Sequence, residues 1–205
     1  MTSIREDHLE FDFDASWDYV EKWDDSPACR DGIQKVGGID ALDIVAFSES
    51  RRECLLLEIK DYRDQNEAGA APQRRRRGRE RQESASAPTA NQVSAQLTEM
   101  VGQKAAGTVA GLVGAARMRD ETFAHALAGA LSTHRSDGIT VHVVLWVEGK
   151  PTSQGSSPRS KVNLSALTNA LKRKVAWLTN HPVHVLSTAS PPDVVPGLKV
   201  TDRRP

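Results

Sequence analysis

Residues 41–47 read ALDIVAF and residues 54–62 read CLLLEIKDY, with the polar turn SESRRE between them. Both runs are apolar enough to be buried strands, and the turn lets them pair as a hairpin. Each nevertheless carries charge: Asp43 in the first, Glu58 and Lys60 in the second. Side chains at i and i+2 of a strand leave the same face, so Glu58 and Lys60 project together. Paired across the hairpin, Asp43 reaches that face too. Ionised groups taken out of water are costly unless they are paired or bind a metal, so this cluster calls for a reason.

The totals frame it. The chain has 205 residues, 39% hydrophobic, which suits one domain over 1–205 with a real core. Its 27 basic and 27 acidic residues cancel, but not evenly. Residues 1–31 carry a net charge of −7, and residues 63–81 a net +4. Cys29 and Cys54 form no disulfide framework and lack metal-ligand spacing; Cys54, opening an apolar run, reads as a small core residue. The acidic N-terminus has no apolar signal region, and no run approaches a membrane span. These features predict a cytoplasmic, reduced protein that does not enter a membrane.

Outward from the hairpin, residues 8–14 (HLEFDFD) alternate as a short strand. Ser16 can cap a helix over 17–23, with Trp17, Val20, Trp23 and Tyr19 as its stripe and Pro27 ending it. IQKV (33–36) reads as a short strand and Gly37-Gly38 as a turn. Residues 64–90 are polar and Arg-rich, too poor in apolar side chains to order themselves, and read as a disordered insertion. Helical periodicity returns over 91–117, where four glycines allow close packing on a sheet, and again over 121–132. ITVHVVLWVE (139–148) reads as the central strand, 163–179 as an amphipathic helix capped by Asn163, and 182–187 as the last strand before an irregular tail. Trp146 and Trp177 read as core, and His142 and His184 as satisfied strand residues. The class is α/β (α+β), a central mixed sheet flanked by helices.

Two carboxylates and a lysine on adjacent strands suit hydrolysis with a divalent metal. Mg²⁺ (or Mn²⁺) takes oxygen ligands, here Asp43, Glu58 and the backbone carbonyl of Ile59. Such an ion polarises a phosphate and acidifies its water. Lys60 would hold that water and offset charge on the phosphoryl oxygens. The bland reading of Glu-x-Lys is a charge pair on an exposed strand face. Ser/His/Asp catalysis has no motif here.

Asp43, fifteen residues ahead of Glu58-Ile59-Lys60, resembles the signature of the PD-(D/E)XK nuclease superfamily, whose restriction-endonuclease-like core runs αβββαβ. KWDDSPACR (22–30), GGIDALDIVAF…LLLEIKDYR (37–63) and QKAAGTVAGLVGAAR (103–117) are similar to small, stand-alone, uncharacterised bacterial members of it. The resemblance implies Asp43, Glu58 and Lys60 as catalytic, with an accessory acid among Glu21, Asp24 and Asp25, and Lys104, beside Gln103, on the helix that follows. Leu42 stands where the family name has proline, and the Gln-x-x-x-Tyr pair of the RecB-like subgroup is missing. The implied function is a Mg²⁺-dependent nuclease acting on DNA. The alternative is an inactive nuclease fold that binds nucleic acid or a partner protein in a bacterial defence or repair assembly, a homodimer being compatible with either. Arg74, Arg75, Arg76, Arg77, Arg79 and Arg81 read either as a solvated loop or as a flexible arm on phosphates.

Overall fold

The two quoted runs pair as read. Strand β4 (Ile44–Ser48) and strand β5 (Glu53–Asp61) form an antiparallel hairpin in which Ile44 opposes Leu57 and Ser48 opposes Glu53. The computed structural model describes residues 1–63, 89–118, 122–132, 138–149, 164–181, 183–189 and 194–204. Ahead of the hairpin lie β1 (Thr2–Glu6), β2 (Leu9–Phe13), β3 (Tyr19–Lys22) and the short helix α1 (Pro27–Asp31). After it come helices α2 (Ala90–Met118) and α3 (Thr122–Ser132), strand β6 (Thr140–Glu148), helix α4 (Leu164–Lys174), and strands β7 (Val183–Leu186) and β8 (Leu198–Asp202). The Arg-rich insertion lies outside the described residues as far as 88, with all six of its candidate arginines; its expected end at 90 is already helical. Residues 150–163, with the Asn163 cap expected there, also lie outside the described residues. Among the described residues no helix is long and apolar enough to cross a membrane.

A mixed sheet runs in the order β3-β4-β5-β6-β7, antiparallel from β3 to β5 and parallel from β5 to β7. β5, rather than β6, is its middle strand. Alternation sends Val45, Phe47, Cys54 and Leu56 to one face, where they pack with Leu97, Val101 and Leu112 of α2, Leu127 of α3, and Leu167 and Leu171 of α4. Ile44, Ala46, Leu55, Leu57, Val144 and Trp146 go to the other. That second face is covered by a three-stranded antiparallel sheet, β1-β2-β8, through Leu9, Phe11, Phe13 and Leu198. Helices thus flank one side of the central sheet and a smaller sheet covers the other.

Five local readings change. The predicted helix over 17–23 is strand β3, paired from Tyr19 opposite Phe47 to Lys22 opposite Ile44. Aromatic and β-branched residues there suit a strand, and β4 would otherwise present an unpaired edge. The supposed single stripe divides: Trp17 and Val20 pack toward the small sheet, Tyr19 and Trp23 toward the helices. Ser16 caps no helix. The cap is Ser26, whose Oγ accepts from Cys29 N at 3.1 Å, with Pro27 opening α1 rather than closing a helix. IQKV forms a 3-10 turn (Ile33–Lys35), closed by Val36 N donating to Ile33 O, instead of a strand. The tail is not irregular throughout: β8 pairs with β2, Phe11 opposite Val200. Trp177 is exposed, not core; helix α4 ends at Lys174, and with Leu171 and Val175 inward a residue two past Val175 turns to the opposite side.

The glycines of α2 admit the segment before β4 more than they admit the sheet. A Cβ on Gly107 would lie 2.3 Å from Asp40 O, and one on Gly111 3.0 Å from Ile33 Cγ2. One residue on from Gly107, the buried Thr108 Oγ1 accepts from Leu42 N at 2.8 Å. Gly37 and Gly38 (φ 41° and 74°) turn the chain into this contact. Helix α2 is thereby locked onto residues 39–42, immediately ahead of Asp43. Gly114 is exposed, and a Cβ there would meet nothing within 4 Å. Gly107→Ala is therefore expected to cost roughly 1–3 kcal/mol by overpacking, while Gly114→Ala should gain up to about 1 kcal/mol from helix propensity. Urea unfolding of the two variants measures the contrast.

Candidate functional site

The site arises where β5 runs on past the start of β4. Ile44 opposes Leu57, so residues 58–61 extend beyond the hairpin on that edge while still pairing with β6. The chain ahead of Ile44 turns away to meet Thr108, and Asp43 replaces the missing ladder contact: its Oδ2 accepts from Ile59 N at 2.6 Å. Asp43 is thus a bend residue just before the strand, not within it. Its backbone O accepts from Trp23 N at 2.8 Å, which fixes it from the other side. In a strand the N–H and C=O of one residue face the same edge, so the Ile59 carbonyl also faces the edge that Asp43 occupies.

Glu58 and Lys60 leave the same face, toward α2, and touch: Lys60 Nζ is 2.7 Å from Glu58 Oε1. Glu58 has no solvent exposure at all, and Lys60 keeps part of its side chain in water. The lock between α2 and residues 39–42 sets Lys104, one turn before Thr108, over both carboxylates. Its Nζ lies 2.9 and 3.0 Å from Glu58 Oε1 and Oε2 and 3.5 Å from Asp43 Oδ1. Burial raises the Glu58 pKa, helped by the Asp43 charge and resisted by Lys104 and Lys60. Burial works against the charge on Lys104, but the Glu58 and Asp43 carboxylates outweigh it and hold that ammonium's pKa above its ordinary value. Tyr62, two further along the same face, feels the cluster as well: burial and then the Glu58 charge raise its pKa.

Among the accessory acids, Asp24 feels the charge of Asp43. It is half-buried, its Oδ1 has no hydrogen-bond partner among the described residues, and burial, then the charges of Asp43 and Asp25, push its pKa up to about 6. Asp25 is exposed and bridged to Lys22 at 2.7 Å, which lowers its pKa. Glu21 lines a separate hollow with Trp23, Pro27 and Phe123. Gln103 is exposed and donates to Glu99 at 3.0 Å rather than joining the carboxylates. With Lys104 it lines a groove of ≈ 460 Å³ over Ile39, Asp40 and Met100. At the other end of the sheet His142 is buried, and burial lowers its pKa. Its ring nitrogens have no hydrogen-bond partner among the described residues, Glu53 being 3.7 Å from Nε2, so it is not the satisfied strand residue expected. His184 stacks against it.

The donor set suits a hard divalent ion: carboxylate and carbonyl oxygens without sulfur or imidazole. A cation already stands between Asp43 and Glu58, in the form of the Lys104 ammonium. Among the described residues no group of three or more His, Cys, Asp or Glu side chains converges at metal distance. Two carboxylates and a carbonyl would therefore share an ion with solvent, as Mg²⁺ commonly does.

The Asp24 shift fixes a pH dependence. A carboxyl whose folded pKa is raised stabilises the fold when protonated, and that contribution disappears as pH rises from its ordinary 3.8 through about 6. Asp24→Asn should thus be more stable than the native chain above pH 6, with the difference vanishing below pH 4. Urea unfolding across that range tests it. As for likeness to known proteins, no family model matches this chain, and no match is found among curated proteins or solved structures.

Proposed function

We propose that this chain is a metal-dependent nuclease hydrolysing phosphodiester bonds of DNA. The observation that carries the reading is the convergence of Asp43, Glu58 and Lys60 at the open end of β5, with Glu58 wholly buried and Lys60 against it at 2.7 Å. Asp43, Glu58 and the Ile59 carbonyl would hold Mg²⁺ or Mn²⁺. Bound there, the ion would supply Lewis acidity toward a phosphoryl oxygen and a more acidic water.

The chain's own groups do the rest. Lys60, tethered to Glu58 but partly in solvent, can reach a water and a phosphoryl oxygen while its charge stays oriented by the carboxylate. Its ammonium stabilises the charge that builds on the phosphoryl oxygens as water adds to phosphorus and the P–O bond to the leaving group breaks. Asp24, whose pKa burial and then the Asp43 charge raise to about 6, changes its protonation near neutral pH within the field of the cluster. The position at the carboxyl end of parallel strands is where open α/β sheets commonly place their ligands.

One observation favours the second reading, a non-cleaving module that binds nucleic acid or a partner protein. Lys104 and Lys60 together neutralise Asp43 and Glu58, so the cluster is complete as a structural ion network. Cleavage separates the two. Plasmid and single-stranded DNA incubated with Mn²⁺ should be cut by the native chain, and Lys60→Ala and Glu58→Gln should each slow cutting by on the order of 10²-fold or more. Absence of cleavage in the native chain with either substrate would leave the binding module.

A further inference from the structure

Lys104 stands where a metal ion would. One ammonium engages both oxygens of Glu58, at 2.9 and 3.0 Å, and Asp43 Oδ1 at 3.5 Å, and only about a seventh of its side chain reaches solvent. Lys60 gives Glu58 a partner already, at 2.7 Å. The second ammonium answers the second carboxylate, since two such groups held together out of water repel unless positive charge lies between them. A divalent ion held by both carboxylates and an ammonium that bridges those same two carboxylates compete for the same lone pairs and repel each other, whereas Lys60 engages Glu58 Oε1 alone and can stay beside the ion. The ion and the Lys104 ammonium cannot share the position.

The surroundings give Lys104 somewhere to go. Its backbone is held by the Gly107 and Thr108 contacts, but the side chain is a flexible four-carbon stem with a compact charge. It also lines the ≈ 460 Å³ groove, together with Asp40 and Gln103. Resting on the reading of Asp43 and Glu58 as a cation site, we propose that Lys104 is an internal counter-cation. It holds the carboxylate pair together in the metal-free protein and is displaced into the groove when a divalent ion binds. There its ammonium becomes available to an incoming phosphate. Lys104 is then a positioning residue in one state and a phosphate contact in the other. The stability of the metal-free protein and its metal affinity are set against each other through this one side chain.

The test is made on the full chain with Mn²⁺ alone. By titration calorimetry Lys104→Met should bind Mn²⁺ about 10-fold more tightly than the native chain, a factor that ordinary competition between single charges can produce. The variant should melt at a lower temperature without metal and recover more than the native chain when Mn²⁺ is added. A second measurement needs no variant. In the native chain, amine acetylation followed by mass spectrometry should mark Lys104 several-fold faster with Mn²⁺ than without, while the exposed Lys172 is unchanged. Equal or weaker Mn²⁺ binding by Lys104→Met, or labelling of Lys104 that ignores the metal, overturns the proposal. So does a native chain that takes up no Mn²⁺. If Mn²⁺ binds and releases Lys104 but no DNA is cut, the counter-cation role stands and the nuclease reading fails. If DNA is cut while Lys104 labelling stays constant, the nuclease reading stands and this role falls.

Discussion

A carboxylate with no access to solvent governs the architecture around it. Glu58 sits on the middle strand of the central sheet, beneath a helix, and water cannot stabilise its charge. Two lysines do so instead, one from its own strand and one from α2. The second fixes a tertiary relation. Lys104 reaches Glu58 only because α2 lies close against residues 39–42, and it lies close because Gly107 has no side chain to hold it off. Removing one partner of such a buried group leaves an uncompensated charge, which typically costs about 3–5 kcal/mol. The helix position, the segment before β4 and the sheet edge are therefore tied to one another through a single ionised group.

The same constraint explains why Asp43 lies ahead of its strand. A β4 that paired fully with β5 would cover the edge beside Ile59 and leave no room for a carboxylate. By ending the ladder at Ile44 and turning Leu42 N toward Thr108, the chain opens that edge and lets Asp43 take the Ile59 amide. The backbone bond lost to the ladder is made by a side chain, so no buried donor is orphaned there.

Much of this was legible in the residues, for reasons that can be named. The hairpin at 41–62 and helix α2 come from long apolar periodicities that tolerate only one register. The i, i+2 spacing of Glu58 and Lys60 sets their common face as soon as the strand is known. Residues 17–23 were not legible, because Trp17, Tyr19, Val20 and Trp23 satisfy a helical stripe and a strand covered on both sides equally well. The free edge of β4 decides between them, and that edge is a tertiary fact. Strand β8 was hidden because Leu198 and Val200 become a recognisable pair only when β2 is present to receive them. At the site, Asp24 could not be separated from Asp25 by neighbours in sequence. Their difference is that Lys22 pairs directly with Asp25 at 2.7 Å and acts on Asp24 only through its charge. Thr108 gave no signal at all, since a threonine within a helical period looks like any other small residue.

The molecule holds a second buried charge network, and the contrast bears on what the first one is for. Glu148 accepts from Trp146 Nε1 at 3.0 Å and from the backbone and hydroxyl of Thr188, and Arg63 connects it to Asp61 and Asp202. Most of its donors are an indole, a backbone amide and a hydroxyl, fixed in place by β6 and the chain after β7. Such a network is satisfied by rigid groups and joins the central sheet to β8. In the other cluster Asp43 takes the Ile59 amide, but Glu58 is answered by two flexible lysine stems, and half-buried Asp24 has an oxygen without a hydrogen-bond partner among the described residues. For stability alone, packed apolar side chains would serve the end of β5 as well or better. Glu58 is thus charged, desolvated and held by movable partners, whereas Glu148 is held by groups fixed in the fold, and only the first arrangement leaves its counter-charges free to rearrange.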